Sequence, residues 1–340
     1  MRWRPGARGH ASCGPAGFCR YADRGVSGFR PLPLALVPDD RADEEAGWLW
    51  APGRVVRRGQ PVHRGRARRG SRMRAMRIVV CVKEVLDPSA VNNYALAGRL
   101  CVAADGRTLD VAAVPRLING YDEQAMEAAL RIRDTGLSCT IVAVSIGPDP
   151  QAVLRQCAAL GADELVAIDP AGLELDCAGI ARLLAASIRA GGGADLVLCG
   201  RQASDDDQGV VPALLGELLG LPVVTVARAV EVAGTLLRVT RVTADGDEIV
   251  EGPLPALVTI SSEIGVPRFP NARAKMAARK AVPVNQTPAS LGLTADALQP
   301  VVVTLRQLVP AVSGNCEFLQ GPAAETAREL LRRLRADGAI

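Results

Sequence analysis

The sequence predicts a layered α/β fold: a mostly parallel, Rossmann-like sheet with an antiparallel hairpin extension and a C-terminal arm. Three observations predict it. From Met76 to Val232, short β-branched apolar runs alternate with helical patterns about a dozen residues long, the signature of βαβ units around a parallel sheet. The pair Asp245-Gly246 then separates two extended runs, which is a hairpin signal. Hydrophobic residues make up 49% of the 340 but aromatics only 3%, so the core must be built from Val, Leu, Ile and Ala.

Taken in order, MRIVVCVKEV from Met76 reads as a buried opening strand. In residues 122–134 the apolar positions Ala125, Met126, Ala129, Leu130 and Ile132 have helical spacing. Residues 139–147 read as a strand ending in Gly-Pro, followed by a helix to Gly161. The alternation continues with a strand at 164–169, a helix at 175–191, a strand at 195–200, a helix at 209–220 and a strand at 222–232. Gly191 to Gly193 fit a helix-terminating turn. The hairpin and a further strand, LPALVTISSE, come next. Residues 267–292 read as irregular, and AAETARELLRRLRAD as a closing helix. This divides the chain into a leader (1–75), an α/β domain (76–265), and an irregular loop with a C-terminal arm (266–340).

The net charge of +4 conceals a division. Residues 1–75 hold 16 Arg, no Lys and six acids, a net +10, so the remainder carries −6. A nucleic-acid partner inferred from the whole-chain balance would be an artefact of averaging, because the body is acidic. The leader lacks the apolar core of a secretory signal, and DDRADEEAG breaks the acid-poor pattern of a mitochondrial presequence. It is expected to be disordered. Its Arg-Gly-Pro texture fits translated upstream DNA with the start at Met73 or Met76, with a basic nucleic-acid-binding arm as the alternative. No run approaches the ~20 apolar residues of a membrane span. The nine cysteines contain no C-x-x-C pair, so buried inert thiols in a reducing bacterial cytoplasm are expected rather than a metal site or disulfides.

The chemistry of the body is narrow. Both histidines, His10 and His63, lie in the leader. A Ser-His-Asp triad, a histidine base and a histidine-liganded metal are therefore out of reach of residues 76–340. Neither G-x-G-x-x-G after the first strand nor G-x-x-x-x-G-K-[ST] occurs. The positive signal is CGRQASDDDQG (199–209), which leaves one strand and enters a helix, where open α/β sheets bind ligands. Gly200 permits a sharp turn and close approach of a ligand to the backbone. Ser204 or the acids could cap the next helix, whose free N–H groups suit an anion. Asp205, Asp206 and Asp207 cannot all point at a phosphate; some must face solvent, a ribose hydroxyl or backbone amides. A solvated capping loop is the alternative reading. INGYDEQA (118–125) is a second strand-to-helix junction, with Asn119 or Asp122 as its cap.

Across residues 76–340 these segments, in this order, resemble the beta subunit of electron-transfer flavoproteins. The resemblance is carried by VCVKEVLDP, INGYDEQAMEAALRIRD, VAVSIGP, ALGADELVAID, DLVLCGRQASDDD, LPALVTISSE and the VPRF…KMAARK element. It implies an electron-carrier subunit without catalytic residues of its own, paired with an alpha subunit that holds most of the FAD. The pair would accept electrons from dehydrogenases and pass them to the respiratory chain or another acceptor. It further implies AMP, or a second FAD, in this subunit. The nucleotide contacts it implies are Cys81, then Asn119, Gly120, Tyr121 and Asp122, then Ile146. The loop completes them with Gly200, Arg201, Gln202, Ala203, Ser204, Asp205, Asp206, Asp207, Gln208, Gly209 and Val210.

Two departures from the family pattern stand out. Val210, Val211 and Pro212 occupy positions where side-chain donors and glycine are usual, which shifts the expected phosphate contacts toward Gln208 and the Gly209 amide. Ala272 stands where the family carries a leucine anchor for donor dehydrogenases. Docking is therefore expected on Pro267 to Arg279: Arg268, Arg273 and Lys275 steer an acidic donor, and Phe269 anchors it in place of Ala272. The competing class is a stand-alone adenine-nucleotide-binding regulator of the universal-stress or ATP-pyrophosphatase-like type, which should show a glycine-rich or S-G-G-x-D-S phosphate loop. The chain has neither.

Overall fold

Alternate residues of the central strands are apolar on both sides, so each strand buries both faces. A computed structural model describes residues 75–110, 114–309 and 317–340. Residues 1–74 of the leader, with the alternative start Met73, and Cys13, Cys19 and Cys316 lie outside the described residues.

The elements run β1 (Met76–Cys81), β2 (Glu84–Leu86), α1 (Pro88–Leu96), β3 (Cys101–Val102), β4 (Leu109–Asp110) and β5 (Arg116–Ile118). There follow α2 (Gly120–Asp134), β6 (Cys139–Ile146), α3 (Gln151–Leu160), β7 (Glu164–Ile168), α4 (Cys177–Ala190), β8 (Leu196–Gly200) and α5 (Val211–Leu219). The chain continues through β9 (Val223–Ala233), β10 (Leu236–Thr243), β11 (Gly246–Pro253), β12 (Ala256–Ile260), α6 (Ala272–Ala278), β13 (Val284–Gln286) and α7 (Ala323–Ala336).

Nine strands form one sheet in the order β11-β10-β9-β12-β8-β1-β6-β7-β13. From β9 to β13 neighbouring strands are parallel, while β9, β10 and β11 pair antiparallel at one edge. The layered fold and its hairpin extension are therefore as the sequence predicts. Ile78, Val80, Ile141, Ala143, Leu196 and Leu198 pack under Met126, Leu130 and Leu154 of α2 and α3. On the other face Val79, Val142, Val144, Val197 and Leu257 meet Leu183, Ile188 and Leu215 of α4 and α5. This period-two partition explains the uninterrupted apolar strands. Among the described residues no helix is long and apolar enough to cross a membrane.

Three features depart from the expected layout. The opening run breaks after Cys81, and its tail becomes β2, paired with β5. The stretch 267–292 is not wholly irregular: Asn271 caps α6 by accepting the Ala274 N–H at 2.8 Å, and β13 adds the last parallel strand beside β7. Short elements of three to seven residues carry too little periodicity to be seen in sequence.

A candidate nucleotide site at the carboxyl ends of the strands

β1, β6 and β8 end side by side, and α2, α4 and α5 begin close to those ends. Between them lies a cavity of about 300 Å³, at the lower end of the ~300–1,000 Å³ usual for small-molecule sites. Of the residues expected from sequence, Cys81, Asn119, Asp122, Ile146, Gly200, Gln202, Ala203, Asp206, Gln208, Gly209 and Val210 line it. Val211 and Pro212, the start of α5, line it as well.

The wall is stapled together by two polar side chains at the start of α2. Asn119 occupies the N-cap position without capping. Its amide instead donates to the Gln202 carbonyl at 2.9 Å, and its oxygen accepts the Ser204 N–H at 3.1 Å. Asp122, buried at 7% exposure, accepts the Lys83 N–H at 2.8 Å and the Gly200 N–H at 2.9 Å. These four bonds tie the ends of β1 and β8 and the 200–204 loop to one helix. Burial pushes the Asp122 carboxyl up to about 7; the Lys83 and Gly200 amides, Asn119 and the Lys83 charge pull the other way and only partly offset it.

Gly200 is needed for a different neighbour than the sequence suggested. A Cβ there would stand 2.4 Å from Asp122 Oδ1 and 2.7 Å from Tyr121 Cβ, so what approaches its backbone most closely is the first turn of α2. Gly209 adopts the left-handed region at φ +62°, with the Arg201 carbonyl 3.0 Å from where a Cβ would be.

Gly120, Tyr121, Arg201, Ser204, Asp205 and Asp207 stand around the cavity rather than in its lining. Gly120 opens α2. The Arg201 guanidinium lies 5.4 Å from the Tyr121 ring centroid, a cation–π contact. Asp207 accepts from Gln202 Nε2 at 2.7 Å. Asp205 and Asp206 meet Lys83 Nζ at 2.8 and 3.5 Å, and Asp206 also accepts the Gln208 N–H at 3.3 Å. Burial would lower the Lys83 ammonium, yet the two aspartates outweigh it and hold its pKa above the ordinary lysine value.

Lys83, the one basic side chain among the described residues of the lining, was not expected from the sequence, nor were Leu173, Leu175, Cys177, Ile180 and Leu184. Lys83 was open to notice, since the chain has only three lysines and this one sits two residues past the first strand. The leucines of the 170–175 turn gave no such signal.

Residues 108–291, more than half the chain, match the family described as electron transfer flavoprotein domain.

The chain belongs to the electron transfer flavoprotein family, as a beta subunit.

It is 31% identical over 271 residues to a probable electron transfer flavoprotein subunit beta from Schizosaccharomyces pombe, covering 79% of this chain and 100% of that protein. It is 32% identical to the caffeyl-CoA reductase-Etf complex subunit CarD of Acetobacterium woodii, over 76% of this chain and 98% of the relative. A beta subunit from Mycobacterium leprae is 32% identical over 64% of this chain and 82% of its own length. The protein is thus an electron-transfer flavoprotein subunit, and nothing in these likenesses favours a stand-alone regulator.

In this beta subunit the segment expected to dock donors is divided in its roles. Phe269 is 86% exposed. Ala272 and Arg273 open α6 and Lys275 lies in its last turn. Arg268, by contrast, is committed internally: it pairs with Glu127 at 2.8 Å and Asp134 at 2.7 Å on α2. Pro267 lies in the extended lead-in to that pair.

Proposed function

We propose that this chain pairs with an electron transfer flavoprotein alpha subunit, that its cavity holds an adenine nucleotide, and that the heterodimer carries electrons from dehydrogenases to the respiratory chain or another acceptor. The observation that carries the pairing is the C-terminal arm. Past Leu298 no described residue is buried, yet Val301, Val302, Leu305, Leu308 and Phe318 are each more than 60% exposed. On α7 the apolar positions Ala323, Ala327, Leu330, Leu331 and Leu334 share one helical face. An apolar arm of this length, with no cover from the other described residues, is what a large permanent interface requires.

The cavity residues fit an adenine nucleotide. Leu173, Leu175, Ile180, Leu184 and Ile146 offer an apolar slot for a purine. The start of α5 and the Gly209 turn offer backbone N–H groups for a phosphate, even though Pro212 supplies none. AMP is favoured over a second FAD, because among the described residues the lining holds a single cation, Lys83, which is already shared by two aspartates. FAD bound in the heterodimer would supply the electron-carrying chemistry; this chain's residues hold, orient and dock, and none of them is assigned a catalytic role. The donor surface is Pro267 to Arg279, with Phe269 as anchor and Arg273, Lys275 and Arg279 steering an acidic partner. A cytoplasmic setting fits the unpaired thiols Cys81, Cys157 and Cys199.

The test is co-expression with the alpha subunit. Leu330→Asp with Leu331→Asp should leave the isolated chain's melting temperature within about 2 °C, both positions being exposed, and should weaken the heterodimer by about a hundredfold or more. Undiminished heterodimer affinity would remove the arm from the interface.

A further inference from the structure

The segment that carries Phe269 leaves the sheet after β12 and runs back over α2, where a buried carboxylate takes hold of it. Glu127 sits in the middle of α2 with its side chain 6% exposed. Its Oε2 accepts the Arg268 backbone N–H at 3.1 Å and Arg268 Nε at 2.8 Å, and its Oε1 accepts Arg268 Nη2 at 3.2 Å. Arg131, one turn along, donates Nε to the same Oε1 at 2.7 Å. Arg131 also donates to the carbonyls of Ile264 at 2.6 Å and Val266 at 3.5 Å. Asp134 completes the clamp on Arg268 at 2.7 Å.

A fork-on-carboxylate pair with a backbone N–H on the same oxygen fixes direction as well as distance. Residues 264–268 are thus fastened at their carbonyls, at an amide and at a side chain, and Phe269 follows at once with its ring in solvent. Burial alone would raise the Glu127 carboxyl, but the bonds from Arg268 and Arg131 outweigh it and hold it below the usual carboxylate range. The group is therefore a full charge at neutral pH.

We infer that Glu127 is a positioning residue for donor docking: acting through Arg268 and Arg131, it sets where Phe269 and α6 stand, without itself touching a donor. This rests on the reading of Pro267 to Arg279 as the donor surface. It also reassigns Arg268, whose guanidinium orients the segment instead of steering the partner. The geometry has a further consequence. The helix that holds the segment is the one whose first turn, through Asn119 and Asp122, builds the nucleotide cavity. The fifteen residues of α2, spanning about 22 Å, therefore give cavity and docking segment a common rigid frame.

The experiment uses the reconstituted heterodimer and a reduced flavin dehydrogenase that the wild type accepts. Glu127→Gln keeps the shape and removes the charge. It is expected to raise the donor KM about tenfold with kcat within about twofold, the pattern of lost ground-state placement. Amide hydrogen exchange should quicken over 264–278 and stay unchanged over 200–209. Phe269→Ala added to Glu127→Gln should raise KM little further, since an anchor on a loosened segment has already lost most of its worth. Arg268→Lys, which keeps a cation for Glu127 and loses the fork, should fall between wild type and Glu127→Gln; should Glu127→Gln fail to fold, this variant decides. Phe269→Ala raising KM while Glu127→Gln and Arg268→Lys leave it unchanged would overturn the inference and spare the docking surface. Phe269→Ala with no effect on KM would reject the docking surface itself, and the inference with it.

Discussion

The central sheet and the C-terminal arm are made of the same kinds of side chain in opposite circumstances. Leu257 on β12 is fully buried between its neighbours, while Leu331 on α7 is 41% exposed. The first region is complete within one chain; its strands bury both faces and its loops are closed by Asn119 and Asp122. The second leaves its apolar face uncovered by the other described residues. Under the proposed pairing, the difference marks where this subunit ends as a folding unit and where it begins as a component.

The same substitution should separate the two. Leu257→Ala removes a fully packed side chain and is expected to cost about 2–5 kcal/mol in the isolated chain. Leu331→Ala should cost the isolated chain less than about 0.5 kcal/mol and act on heterodimer affinity instead. Urea unfolding of each variant, with and without the alpha subunit, reads both numbers. Similar losses at both positions in the isolated chain would erase the contrast.

A smaller effect tests the wall of the cavity. Gly200→Ala places a methyl against Asp122 Oδ1 and Tyr121 Cβ, an overpacking expected to cost about 1–3 kcal/mol. Because Asp122 must yield, bound nucleotide should fall out of proportion to stability. Full nucleotide content with unchanged stability would show that α2 moves aside without consequence.

How much of this was legible in the sequence depends on the range of each interaction. β1, β6, β7, β8 and β12 were legible because burial on two faces leaves an unbroken apolar run, and the hairpin because Asp245-Gly246 marks it. The 200–210 loop was legible from its glycine and acids. What Asn119 does was not. It reads as a helix cap, and only the fold brings it to residues 83 and 85 positions away. Lys83 escaped for the same reason, its aspartates lying 122 and 123 residues on. Arg268 looked like a free surface cation because Glu127, which neutralises it, lies in a distant helix.

A further prediction concerns pH. The Asp122 carboxyl is pushed up to about 7 in the folded chain, against ~3.9 when unfolded. A folded value above the unfolded one means that the native state binds the extra proton. This group's contribution is therefore fully present below about pH 4 and is lost as pH rises through about 7, on the order of 4 kcal/mol in all. Asp122→Asn should flatten that slope, so the stability difference between wild type and variant should shift against wild type from pH 5 to pH 8. A difference constant over that range would mean that Asp122 stays ionised.

The central claim, that the cavity at the ends of β1, β6 and β8 is a nucleotide site in a flavoprotein heterodimer, is tested most directly by what the purified heterodimer releases. Denaturation followed by chromatography of the supernatant should yield about one FAD and one AMP per heterodimer, with the AMP reduced in Gly200→Ala while the FAD is retained. Two FAD and no AMP would keep the site and change its ligand. FAD alone, at one per heterodimer and with no second adenine nucleotide, would contradict the account.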